Sequence, residues 1–221
     1  VVNNGSLAVN RSDSYTIAND VSGSGAVTQA GSGTTILTGA NTYSGVTTIS
    51  SGTLQVGSGG TSGTLGTGAV VNNGSLAVNR SDTYTIANAI SGSGVLTQAG
   101  SGTTILTGSN SYSGVTTISS GTLQVGSGGT SGTLGTGAVV NNGALVVNHS
   151  DSYTIANDVS GSGALTQAGS GTTILTGSNS YSGVTTISSG TLQVGAGGTI
   201  GTLGTGAVVH DRARPKRAAR S

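Results

Sequence analysis

Few residues in this 221-residue chain could do acid–base or metal chemistry: six Asp, two His, no Glu and no Cys. A glycosidase needs two carboxylates held about 5–9.5 Å apart across its substrate. Asp13 and Asp20 have the right chemistry, but Ala89 stands where the next copy of the pattern would place the second acid. The weightier reading of Asp13, Asp82 and Asp151, each in "RSD" or "HSD", is a turn capped through its own backbone. His149, between Asn148 and Ser150, has no second His beside it to make a ligand pair, and reads as a solvated corner residue. Serine is abundant, yet there is no G-x-S-x-G elbow with a His partner. Runs such as "GSGAVTQAGSG" contain G-x-G without a helix to hold a phosphate. The absence of Cys removes disulfides, thiolate metal sites and Cys nucleophiles together. Catalysis, a metal and a cofactor are all expected to be absent.

The elements that would position these residues are repetitive. "VVNNG" occurs at 1–5, 70–74 and 139–143, which divides the chain into copies 1–69, 70–138 and 139–207. The first two copies differ at 7 positions and the last two at 9, and all 42 Gly fall in the copies, 14 in each. A fourth copy begins at "VVH" (208–210) and fails. With no Phe, Trp or Met and only 6% charged residues, the apolar supply is Val, Leu, Ile and Ala. A core built from these must be narrow, and the β-branched residues, with abundant Thr, favour strands. A largely disordered or fibril-forming Gly/Ser/Thr chain is the competing reading of the composition. The kept period and the alternating aliphatic pairs argue against it.

Each copy reads as about seven short strands joined by Gly, Ser, Asn and Asp corners, with no helical stripe. In "GSLAV" from Gly5 and "GTLQV" from Gly52, Leu7/Val9 and Leu54/Val56 point to one side. "GTTIL" from Gly33 departs: the same offsets turn Thr35 and Leu37 inward and Ile36 outward, which raises a slipped register there. Three Gly phrases divide each copy into turns of about 23 residues, the length of a β-helix coil. The expected fold is all-β, a right-handed parallel β-helix (β-solenoid) of about nine coils, a rod of about 43 Å at ~4.8 Å per coil. Glycines would supply positive-φ corners. With three whole coils per copy, Tyr43, Tyr112 and Tyr181 would share one face.

The stretch "GSGTTILTGANTYSGVTTISSGTLQVG" (31–57) returns at 100–126 and 169–195. It resembles the autotransporter-associated β-strand repeat, also called the passenger-associated transport repeat, of bacterial type V secreted proteins. Gly33, Thr34, Leu37, Gly39, Asn41, Tyr43, Gly45, Thr48, Gly52 and Leu54 carry the match. Thr35-Ile36 departs, since the family tends to have Leu-Thr there. The resemblance implies a non-catalytic β-helical stalk that aids export and holds functional parts away from a Gram-negative cell. Its implied partner is the outer-membrane translocator barrel of the parent protein, and its implied location is extracellular or at the cell surface. The start, "VVNNGSLAVN", has no signal-peptide features, and 208–221 has no counterpart of barrel strands. The chain therefore reads as a piece of a longer protein.

A second function class is an adhesive module. Asn41, Tyr43, Asn110, Tyr112, Asn179 and Tyr181 are its candidate binding face for a host-surface glycan or protein. The plainer reading of the same residues is an Asn that bonds its own corner and a Tyr that covers a core edge. Residues 1–209 form the repeat region and 210–221 a basic tail, expected to be disordered. Arg212, Arg214, Lys216, Arg217 and Arg220 make the tail +4 against −3 for the repeats. They are a candidate polyanion-binding arm, although a stretch read out of frame, or joined on, explains the abrupt change of composition better. Exposed β-helix ends and low charge predict self-association.

Overall fold

The computed structural model describes residues 1–210. It is an all-β stack of short parallel strands without a helix. The basic residues Arg212, Arg214, Lys216, Arg217 and Arg220 lie outside the described residues. His210 does not belong with them: it ends a strand, Val208–His210, that pairs with Thr185–Ile187. The start of the failed fourth copy thus still adds a rung.

The second copy shows the complete strand set. Its strands are Val70–Asn72, Ser75–Val78, Thr83–Ile86, Ile90–Ser91, Val95–Gln98, Thr103–Leu106, Thr116–Ile118 and Thr122–Val125. The chain visits three faces in turn, and each strand pairs with the strand one coil away. The five-stranded sheet from Ser6–Val9 to Ile90–Ser91 is the first face, the eight-stranded sheet the second and the seven-stranded sheet the third. A three-stranded sheet, Ser152–Ile155, Thr172–Leu175 and Thr191–Val194, takes the place of the first face in the later coils.

Pairing fixes the coil length. Ser14 lies beside Thr34, Thr34 beside Thr53, Thr53 beside Ser75, and Thr116 beside Val139, so the step from coil to coil is uneven. These pairs give a mean coil of about 21 residues, hence about ten turns and, at ~4.8 Å per coil, a rod of about 48 Å. The expected nine coils rested on three whole turns per copy. A copy instead spans about three and a third turns. Each copy therefore starts one face further round than the copy before it. The strands that follow the three equivalent tyrosines, Thr47–Ile49, Thr116–Ile118 and Thr185–Ile187, lie in three different sheets. The expectation that Tyr43, Tyr112 and Tyr181 share a face is thereby corrected.

The interior is narrow and laddered. Leu54, Leu76 and Leu96 stack in register on consecutive coils, and all three are fully buried. There is no slip at Thr35-Ile36: Thr35 pairs with Leu54 and Leu37 with Val56, and both point inward. An inward Thr is tolerated because its hydroxyl donates to Gln29 Oε1, while Gln29 Nε2 donates to the Gly31 carbonyl at 2.8 Å. Buried polar groups persist where they find such partners. The glycines are less about turns than about closeness. Only 15 have positive φ; many of the others lie directly over a backbone carbonyl of the coil beneath. At Gly31 a Cβ would come within 2.1 Å of the Arg11 carbonyl oxygen.

Candidate functional site

The six residues of the candidate binding face occupy the corners where one coil is tied to the next. Asn41 Oδ1 accepts from the Val21 amide at 2.9 Å in the coil before, and Nδ2 donates to the Thr64 carbonyl at 2.7 Å in the coil after. Asn110 does the same with Ile90 and Thr133, and Asn179 with Val159 and Thr202. All three amides are buried. Tyr43, Tyr112 and Tyr181 are each 0% exposed. Their hydroxyls reach Thr47, Thr116 and Thr185 at 2.8, 2.7 and 2.8 Å. Burial pushes each phenol above its ordinary value, partly offset by that hydroxyl bond. An exposed Asn/Tyr face is therefore corrected: these groups close the interior and offer no ring or amide to a glycan. The signal was in the sequence, since a Tyr kept at one unit position in a chain without Phe or Trp is a scarce core-filler.

The acids do not converge. Asp20 accepts from the Ala40 amide and Asp158 from the Ser178 amide, each at 2.6 Å, so both fasten neighbouring coils. Asp13 and Asp82 pair with the Arg two residues earlier, at 2.6 and 2.8 Å. Asp151 pairs with His149 at 3.0 Å. Their main side-chain partner is thus the Arg or His two residues earlier, with the backbone of the turn contributing less at Asp13 and Asp82. The hydrogen bond from Arg11 holds the Asp13 carboxyl below the usual carboxylate range, and Arg80 does the same for Asp82. Among the described residues no group of three or more His, Cys, Asp or Glu could hold a metal.

Sequence reasoning missed what residues 80 and 149 do. Arg80 is buried. It donates Nη1 to the Gly63 carbonyl and Nη2 to the Thr61 carbonyl at 2.6 Å, while forking onto Asp82. Its guanidinium lies 4.9 Å over the Tyr84 ring, and the Tyr84 hydroxyl accepts from the Leu65 amide at 2.9 Å. The result is a clasp: the loop 57–63, near the end of copy one, is held by the first strands of copy two. His149 takes the same place at the next joint. Its Nε2 faces the Gly132 carbonyl at 2.9 Å, its Nδ1 faces Asp151, and its ring stacks on Tyr153 at 4.5 Å. A solvated corner His is thus corrected to a buried one, 3% exposed. The available signal was the triple Arg/His, Asp, Tyr at alternate positions, which places all three side chains on one side of a strand-like segment.

A groove of about 380 Å³ runs past Asn41, Thr64, Leu65, Tyr84 and Asn88. It contains the coil-tying groups just described and no convergent ionisable set.

Comparison with known proteins agrees with this geometry. The family model of the passenger-associated-transport-repeat matches residues 27–56, 96–125 and 165–194. Each match runs from the strand before the inward-Thr phrase, through the Asn/Tyr corner, to the "TLQV" strand. Among curated proteins, the chain is similar to an adhesin BmaC autotransporter of Brucella suis biovar 1 (strain 1330). It is 42% identical to that protein over 26% of this chain. The chain spans about 2% of the length of that relative. No solved structure matches. The three matches of that family model fall at one unit position of each copy, on a solenoid whose corners use the matched Asn and Tyr.

Proposed function

We propose that this chain is a non-catalytic structural length of an autotransporter passenger: a shaft that aids export and displays other parts of its parent protein at a Gram-negative cell surface. The observation that carries the reading is the use made of the matched residues. The Asn of the repeat joins the coils before and after it, the Tyr fills the interior beneath a glycine of the next coil, and the inward Thr is satisfied by a buried Gln of its own coil, so the motif serves stacking. A fold made of nearest-neighbour contacts lengthens by copying its unit. It can also fold from whichever end emerges first, with burial of Val, Leu and Ile drawing each new coil onto the last. The partner in this reading is the translocator barrel of the same parent protein, through which the shaft passes before it folds.

The test is made in a passenger that contains these repeats and its own translocator, with an epitope on the segment that emerges first. Leu123→Asp puts a charge into a fully buried rung; the outward Gln124→Asp changes the same strand without touching the core. Surface labelling should fall for the first and hold for the second. Equal surface labelling of both would contradict a role for stacking in export.

A further inference from the structure

We propose that the clasp between the second and third repeats is proton-dependent, while the otherwise equivalent clasp between the first and second is not. The two clasps hold identical loops, "GSGGTSG" at 57–63 and at 126–132. They differ in the clasping side chain: Arg80 in one, His149 in the other. A guanidinium keeps its charge at every ordinary pH and can donate to carbonyl and carboxylate at once. An imidazole can do so only when both nitrogens carry hydrogen.

The two ring partners of His149 set that requirement. The Gly132 carbonyl can only accept, so Nε2 must donate to it. The Asp151 carboxylate also accepts, so Nδ1 must donate there too. Both bonds together need the imidazolium. In the neutral ring one nitrogen keeps a lone pair aimed at an acceptor oxygen, and one of the two bonds is lost. The other surroundings offer no replacement charge. Loop 126–132 has no ionisable side chain, and the third repeat has no Arg or Lys. Tyr153, stacked on the ring, gives its hydroxyl to the Leu134 amide as acceptor, and burial pushes its phenol up, so it stays neutral. Among the described residues Asp151 is the single charged group that faces the ring. Histidine is the side chain that ordinarily changes charge near neutral pH, so acid should fasten the second joint and mild alkali should release it. The released loop would act as a hinge at one defined place along an otherwise uniform shaft.

The test is amide hydrogen exchange on the whole chain, comparing Gly128 with Gly59. Each amide donates to the residue just before the clasping side chain, Gly128 to the Asn148 carbonyl and Gly59 to the Asn79 carbonyl, both at 2.7 Å. Both glycines sit between Ser and Gly, so their intrinsic exchange rates change with pH in the same way and cancel in the ratio. Between about pH 5 and 8 the Gly128-to-Gly59 rate ratio should rise on the order of tenfold, as expected for losing one charge-assisted hydrogen bond. His149→Arg copies the residue of the other joint, so the variant should fold, and its ratio should stay flat. A ratio that stays flat in the parent, or that rises equally in His149→Arg, would overturn the proposal.

Discussion

At the scale of the residue, the chain uses polar side chains as fasteners between coils. Arg80 is the strongest of these because its fork onto Asp82 leaves donors free for two loop carbonyls. The Asp82 carboxyl is held below the ordinary carboxylate range by that hydrogen bond, and so has the lower value in the folded state. A group depressed in this way contributes stability above its unfolded value, near pH 4, and loses the contribution as pH falls through its folded value. Arg80→Ala should therefore lower the melting temperature at neutral pH and flatten the part of the acid limb below about pH 4. Thermal melts of parent and variant from pH 2 to 7 check both. An unchanged acid limb would mean that Asp82 gains nothing from its partner. These contacts were only half legible in the sequence. The pairing of a cation with the Asp two residues on follows from strand alternation. Its burial does not, because the loop that covers Arg80 comes from the preceding copy, 17 to 19 residues earlier.

At the scale of the element, strand identity was legible and face assignment was not. Glycine phrases followed by alternating aliphatics locate the strands well, and "TLQV" shows the inward–outward alternation in its burial pattern. The coil length was misjudged because Gly phrases mark corners, and some corners lack a phrase of that kind. The Asn/Tyr corner is one of them, held by side-chain hydrogen bonds in place of a strand pair. This corner also explains a glycine that looks like a turn residue. Gly135 has no positive φ; it lies over Tyr112, where a Cβ would come within 2.5 Å of the ring and 2.3 Å of the carbonyl oxygen. Gly135→Ala should cost about 1–3 kcal/mol, the usual range for overpacking, or a melting temperature lower by roughly 2–12 °C for a chain of this size. Gly129→Ala is the control, since nothing lies within 4 Å of a Cβ there. Equal melting temperatures for the two variants would remove the close-approach explanation.

At the scale of the whole molecule, the repeat is not a whole number of coils, and this mismatch has a mechanical result. Each copy advances the pattern by one face, so three copies distribute the same corner over all three faces. The shaft then has no face defined by a single row of identical residues. A joint between copies is also nearly the same wherever it occurs: Ser75, Ala77 and Arg80 of the first become Ala144, Val146 and His149 of the second. Removal of residues 70–138 joins copy one to copy three through a sequence boundary that the chain already contains. The shortened chain should melt cooperatively and lose about 16 Å of length, three and a third coils at ~4.8 Å each. Small-angle scattering reads the length, and a calorimetric melt reads the cooperativity. A non-cooperative melt would show that copies are not interchangeable. Repetition itself was plain in the sequence; its rotation was not, because rotation depends on the sum of corner lengths that differ from one coil to the next.

The most direct test of this stack is disulfide trapping in a chain that has no cysteine of its own. Ile105 and Gln124 lie side by side on adjacent coils of the third face, both half-buried and outward. In-register neighbours on adjacent coils are within disulfide reach. The account predicts that Ile105→Cys with Gln124→Cys oxidises readily in the folded chain. It predicts also that Ala8→Cys with Thr28→Cys oxidises, whereas Ala8→Cys with Ile36→Cys, the pair that one coil per Gly phrase would bring together, stays reduced. The reverse result would contradict the coil length, and with it the face-by-face rotation of the repeats.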